Sequence, residues 1–158
     1  AHAGELPRTY VKRITLGKVQ AVAGQNPGAF ILAADTTVSC GRRILPKAED
    51  EVTARDCLKL LSGRRHKVLG GIALITPQGR EIYRLCETVV KFKRLDHSDI
   101  ERYIHSGEWH GKAGGYAIQG LAASYISYIS GSYSNVVGLS LFDTAQILKG
   151  NGGYAQSE

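Results

Sequence analysis

The sequence predicts an α/β fold in a single domain, and three observations predict it. Helix-like and strand-like segments interleave along the chain. Residues 29–34 (AFILAA) form a continuous apolar run, the pattern of a strand buried on both faces. Residues 66–76 and 81–93 are strand-like and flank Pro77, Gln78, Gly79 and Arg80, which reads as a hairpin. At 158 residues, 43% hydrophobic and 22% charged, the chain is globular rather than disordered and long enough for a real core.

Taken in order, Pro7 opens a helix, because its missing N–H would be unpaired there anyway. Tyr10, Val11, Ile14, Val19 and Val22 follow at helical spacing, and Gly24 and Pro27 end the segment. The apolar strand comes next and is expected to stop at Asp35. Residues 39–48 (SCGRRILPKA) read as a basic loop. Asp50 caps a second helix, with Val52, Cys57, Leu58 and Leu61 inward and Gly63 closing it. After the hairpin, Ser98, Asp99, Ile100 and Glu101 have the form of a capping box, opening a short helix that ends at Gly107. Residues 111–120 form a glycine-rich loop, 124–130 a strand and 138–149 the last helix. The glycine-rich tail after Gly150 is expected to fray.

Charge and cysteine usage narrow the classes. The net charge is +6. The first 80 residues hold 13 basic and 6 acidic side chains, against 7 and 8 in the remainder, so the excess lies in the first half. Such an excess fits a nucleic-acid partner or a phosphate-binding cleft. No apolar run approaches the roughly 18 residues of a membrane helix, and no basic-then-apolar leader pattern is visible. Cys40, Cys57 and Cys86 form no C-x-x-C pair, so a reducing, cytoplasmic setting is expected, with cysteines as small core residues.

Few residues carry chemistry by themselves. Asp35 follows a buried apolar strand, and in open α/β sheets ligands bind outside the carboxyl ends of strands. A carboxylate there can hold a divalent cation or orient a water; it can equally just end a strand. Lys47, behind Arg42 and Arg43, suits phosphate oxygens or a solvated loop. Lys18 sits on a helix and reads as solvated. Gln119, between Ile118 and Gly120, has the donor and acceptor to read a nucleobase edge, or to bond local backbone. Asn135, after Gly131 and Ser132, reads as an anion-site residue or a simple cap. Walker, Rossmann, H-E-x-x-H and G-x-S-x-G patterns are not found.

Several segments taken together are more specific. Residues 6–18, A-D-T-T-V at 34–38, I-L-P-K at 44–47, L-S-G-R-R-H-K-V at 61–68 and E-T-V-V-K-F at 87–92 occur in that order. G-E-W-H-G-K-A-G-G-Y-A-I-Q-G at 107–120 and G-S-Y-S-N-V-V-G-L at 131–139 complete the series. Nearly the whole chain thus resembles the Maf family of nucleoside triphosphate pyrophosphatases, also called septum-formation inhibitors. The form K-A-G-x-Y-x-I-Q-G is similar to the branch acting on dTTP and UTP.

The resemblance implies a mixed twisted sheet with flanking helices, an inosine triphosphatase-like, two-lobed architecture with a cleft. It implies a hydrolase that splits a nucleoside triphosphate into a monophosphate and pyrophosphate. Asp35 matches the acidic residue assigned as proton acceptor and is also the expected metal ligand. Thr36 and Gln119 match positions linked to substrate choice, and Lys18 and Lys47 match basic positions in the cleft. The expected cofactor is a divalent cation, magnesium or manganese. The expected partner is the nucleotide, with a homodimer allowed and neither membrane nor specific nucleic acid. Family members begin with a strand and a Ser-x-Arg-Arg loop, so residues 1–158 are expected to be one Maf-like domain, incomplete at its N-terminus. The competing expectation is a catalytically weak nucleotide- or nucleic-acid-binding protein linked to septum formation.

Overall fold

The structure is a computed structural model and describes residues 1–153. Eleven elements follow in chain order: α1 (Pro7–Ala23), β1 (Ile31–Cys40), β2 (Arg43–Leu45), α2 (Glu51–Leu61), β3 (Arg65–Ile75), β4 (Glu81–Phe92), α3 (His97–Ser106), a 3₁₀ turn (Leu121–Tyr125), β5 (Ile126–Ser130), α4 (Tyr133–Val137) and α5 (Leu141–Gly150). The fold is α/β, a five-stranded sheet ordered β2-β1-β3-β4-β5 with flanking helices. Every neighbouring pair in it is antiparallel.

Side chains alternate between the two faces of a strand. Here that alternation divides the cores. Val19 of α1 packs with Ile31 and Ala73 on one face, beside Leu16, Ile75 and Tyr83. On the other face, Ile147 of α5 packs on Ile72 and Leu74. Farther along that second face, Val38, Val68, Val90 and Phe92 meet α2, α3, Trp109 and Tyr116 in a much larger core. The long strands therefore run through two lobes. β2 covers only residues 38–40 of β1, so the outer edge of β1 over residues 31–37 has no strand partner among the described residues.

Several elements differ from expectation. β1 does not stop at Asp35; Thr36, Thr37 and Val38 are strand formers and the pairing with β3 continues to Ser39. Asp35 thus lies within a strand, at a lateral edge, and not at a carboxyl end. The expected basic loop contains β2, a three-residue edge strand whose arginine masks it. Val22 and Val52 are exposed, while Thr15 and Ala54 take the buried positions on their helices. Asp96, not Ser98, caps α3: its side chain accepts from Asp99 N–H at 2.8 Å, and Asp99 returns the bond to Asp96 N–H at 3.1 Å. The last helix, expected over 138–149, begins only at Leu141, and a separate short helix, α4, precedes it; each has a serine cap. Gly153 N–H closes the end of α5 on the Leu148 carbonyl, and the rest of the expected frayed tail, 154–158, lies outside the described residues. Cys57 is buried, Cys40 and Cys86 are half-buried, and all three are free thiols. No helix among the described residues is long and apolar enough to cross a membrane.

Candidate active site

Two consecutive glycines shape the centre of the sheet. Asp35 pairs with Gly71 and Thr36 with Gly70. A Cβ on Gly71 would lie 2.2 Å from Thr15 Oγ1, so the missing side chain lets α1 press onto the sheet. A Cβ on Gly70 would lie 1.9 Å from Asn135 Oδ1, so the same device admits α4 on the opposite face. Both helices are thereby brought against the strand that carries the candidate residues.

Because α1 lies this close, Lys18 reaches Asp35. Its Nζ is 2.5 Å from Asp35 Oδ1, with the carboxylate side chain only 9% exposed and the lysine 47%. Thr36 points the other way, and its hydroxyl donates to the Gly138 carbonyl at 3.3 Å. Alternation places the two on opposite faces, yet both reach the cleft because β1 is here the edge of the sheet.

A cleft of about 250 Å³ lies on the α4 side of that edge, lined by Lys18, Asp35, Thr36, Lys47, Gln119 and Val137 among others. A groove of about 480 Å³ lies on the α1 side, with Tyr10, Ile14 and Thr37, and shares Lys18, Asp35, Thr36, Lys47 and Ala113 with it. All five residues singled out from the sequence are brought together. Lys18 is not simply solvated but ion-paired, and Gln119 is exposed at the rim.

The loop bearing Gln119 is held at many points. Residues 111–114 are zipped onto 46–48: Gly111 N–H donates to Ala48 O at 2.8 Å, Ala48 N–H to Lys112 O at 3.1 Å and Gly114 N–H to Pro46 O at 3.0 Å. This positions Lys47 and also Lys112, a third cleft lysine that sequence reading passed over inside a glycine-rich motif. Ala117 N–H donates to Tyr103 Oη at 3.0 Å, and Leu121 N–H to Glu108 Oε2 at 2.9 Å. Tyr116 turns into the core, its hydroxyl 2.6 Å from His66 Nε2. Burial drives the His66 pKa down to about 4 and pushes the Tyr116 phenol up. His66 is therefore neutral near pH 7, and one proton is shared in its hydrogen bond with the Tyr116 hydroxyl.

Among the described residues no group of three or more His, Cys, Asp or Glu converges. Asp35 is one hard oxygen donor beside an open cleft. A single carboxylate completed by phosphate oxygens and water is a donor set that suits a magnesium-like ion arriving with its substrate. Neither Lys47 nor Lys112 has an acidic partner within 4.0 Å among the described residues, so both remain for an anion.

An α/β sheet whose open edge carries one carboxylate, three lysines and a neutral amide defines a receptor for a polyanion with a polar head. The sequence places it more closely. The model of the Maf-like protein family matches residues 1–151, and the chain belongs to that family. It is 66% identical over 149 residues to a dTTP/UTP pyrophosphatase of Paramagnetospirillum magneticum, covering 94% of this chain and 78% of the relative. It is 56% identical over 150 residues to one of Rhodospirillum rubrum, covering 95% and 71%, and 54% identical over 149 residues to one of Novosphingobium aromaticivorans, covering 94% and 74%.

Proposed function

We propose that the chain is a nucleoside triphosphate pyrophosphatase, a hydrolase that cuts dTTP or UTP into the monophosphate and pyrophosphate. The observation that carries this is the edge of β1, where Asp35 with Lys18 and Thr36 open into one cleft from opposite faces. The names of its relatives support the same substrate class. They do not favour binding without turnover.

In this reading the phosphates lie along Lys18, Lys47 and Lys112, and the base meets Thr36 and Gln119 between Ile118 and Val137. Among the described residues Asp35 is the one acidic side chain lining this cleft, so it is the group to hold a cation or take a proton from water. Lys18 pairs with that carboxylate and holds it aimed at the cleft. A divalent cation bound with the substrate would offset negative charge on the leaving pyrophosphate. Lysines fixed by the 46–48 and 111–114 pairing need little rearrangement to do the same. A single domain over residues 1–158, a cytoplasmic location and a homodimer complete the reading, and sizing and cell fractionation decide the last two.

Pyrophosphate release from UTP and dTTP with magnesium is the direct test. Asp35→Asn is expected to lower kcat/KM at least about a thousandfold, with the melting temperature little changed. A full panel of triphosphates yielding no pyrophosphate would overturn the reading.

A further inference from the structure

We infer that Asn135 and Gly138 are positioning residues for base selection, because they fix which way the Thr36 hydroxyl points. The inference rests on the function proposed above and deepens it. A hydroxyl has one hydrogen to donate. That of Thr36 is committed to the Gly138 carbonyl at 3.3 Å. Toward the cleft, Thr36 then offers lone pairs only. An acceptor suits the ring N–H of uracil or thymine, and it opposes the unprotonated ring nitrogen that cytosine presents at the same place. Gln119 supplies both polarities and cannot make this distinction alone.

The Gly138 carbonyl is held by an amide clasp. Asn135 is 1% exposed, and its Nδ2 faces Val68 O at 3.0 Å, Thr88 Oγ1 at 3.1 Å and Cys86 O at 3.3 Å. Thr88 also ties the start of α4, accepting from Ser132 N–H at 3.1 Å and donating to Ser132 O at 3.3 Å. Tyr133 and Val137 of α4 remain largely exposed and only Val136 of its apolar side chains packs on the large core, so the polar bonds carry much of what fixes where the segment lies. Gly138 itself has φ of 150°, a conformation that side chains disfavour, and this turns its carbonyl back toward β1.

The test compares kcat/KM for UTP and CTP. Asn135→Asp replaces a donor with an acceptor facing three acceptors. Gly138→Ala strains the turn while its methyl meets nothing within 4 Å. Each is expected to lower the UTP-to-CTP ratio about ten- to a hundredfold, chiefly through a higher KM for UTP. Turnover of CTP should stay within a few-fold. Thr36→Val should lower the ratio equally, and adding Gly138→Ala to it should lower it no further. Equal slowing on both triphosphates, or additive effects in the double variant, would overturn the inference. Should Asn135→Asp lack a folded circular dichroism spectrum, Gly138→Ala alone decides. Calorimetric binding of UMP and CMP separates this inference from the function beneath it. Preference for UMP without turnover of any triphosphate would sink the pyrophosphatase and keep the base selection. Turnover with no preference between UTP and CTP, or equal binding of UMP and CMP, would sink the base selection alone.

Discussion

The two ends of the sheet are built differently. At one end, eighteen buried residues from β1 to β4, α2, α3, the 107–125 segment and the loops at Ala48 and Leu95 form one continuous core. At the other, α1 and α5 lie on opposite faces in clusters of three buried residues each. The dense end holds the loop that bears Lys112 and Gln119, while the thin end supplies Lys18 through α1. The candidate site lies where they meet. The difference teaches which parts of the site are rigid: the loop is backed by Tyr116 and His66, whereas α1 depends on a close approach at Gly71.

The largest effect should come from the dense end. Phe92→Ala is expected to cost about 3–5 kcal/mol, against about 2–3 for Ile147→Ala in the thin core, measured by urea denaturation. Equal costs would break the contrast. The second is a pH effect on the same end. His66 is buried neutral with its pKa lowered from 6.5 to about 4, so between these values the unfolded chain binds more protons. Stability should fall as pH drops through that window, by about 3 kcal/mol at pH 4. His66→Gln should flatten that slope in denaturation curves taken at pH 7, 5 and 4.

Gly71→Ala probes the thin end. The added methyl collides with Thr15 on α1, and a loss of about 1–3 kcal/mol is expected. Because α1 carries Lys18, turnover should fall together with stability; unchanged turnover would uncouple α1 from the site. The smallest effect should be at the Arg55–Glu101 ion pair joining α2 to α3, at 2.9 Å and partly exposed. Arg55→Met should shift the urea midpoint least of these variants, and less still in high salt.

Much of this was legible in the residues. The β3–β4 hairpin follows from two strand patterns around Pro77 and Gly79, and α1 begins at Pro7 as its chemistry requires. What escaped was set by partners distant in sequence. Arg43 and Ile44 join a sheet only because residues 38–40 lie beside them. Asp35 looked like a strand end because hydrophobicity stops there, although pairing does not. For the candidate site, the ordered motifs singled out Lys18, Asp35, Thr36, Lys47 and Gln119, while the 2.5 Å contact of Lys18 with Asp35 depends on a helix docking seventeen residues away. Gly70 and Gly71 were the readable signal that went unused, since paired glycines inside a strand mark close approach from outside.

The position of Asp35 and Thr36 on an open edge has a further consequence. In the function proposed above, a nucleoside triphosphate is fastened at two ends, its base at Thr36 and its phosphates at the lysines beside Asp35, and each attachment raises the local concentration for the other. Hydrolysis cuts the link between them. The monophosphate keeps one fastening and pyrophosphate the other, and neither fragment spans the edge. In that reading the strand edge works as a length gauge: it retains the uncut molecule and lets both halves go.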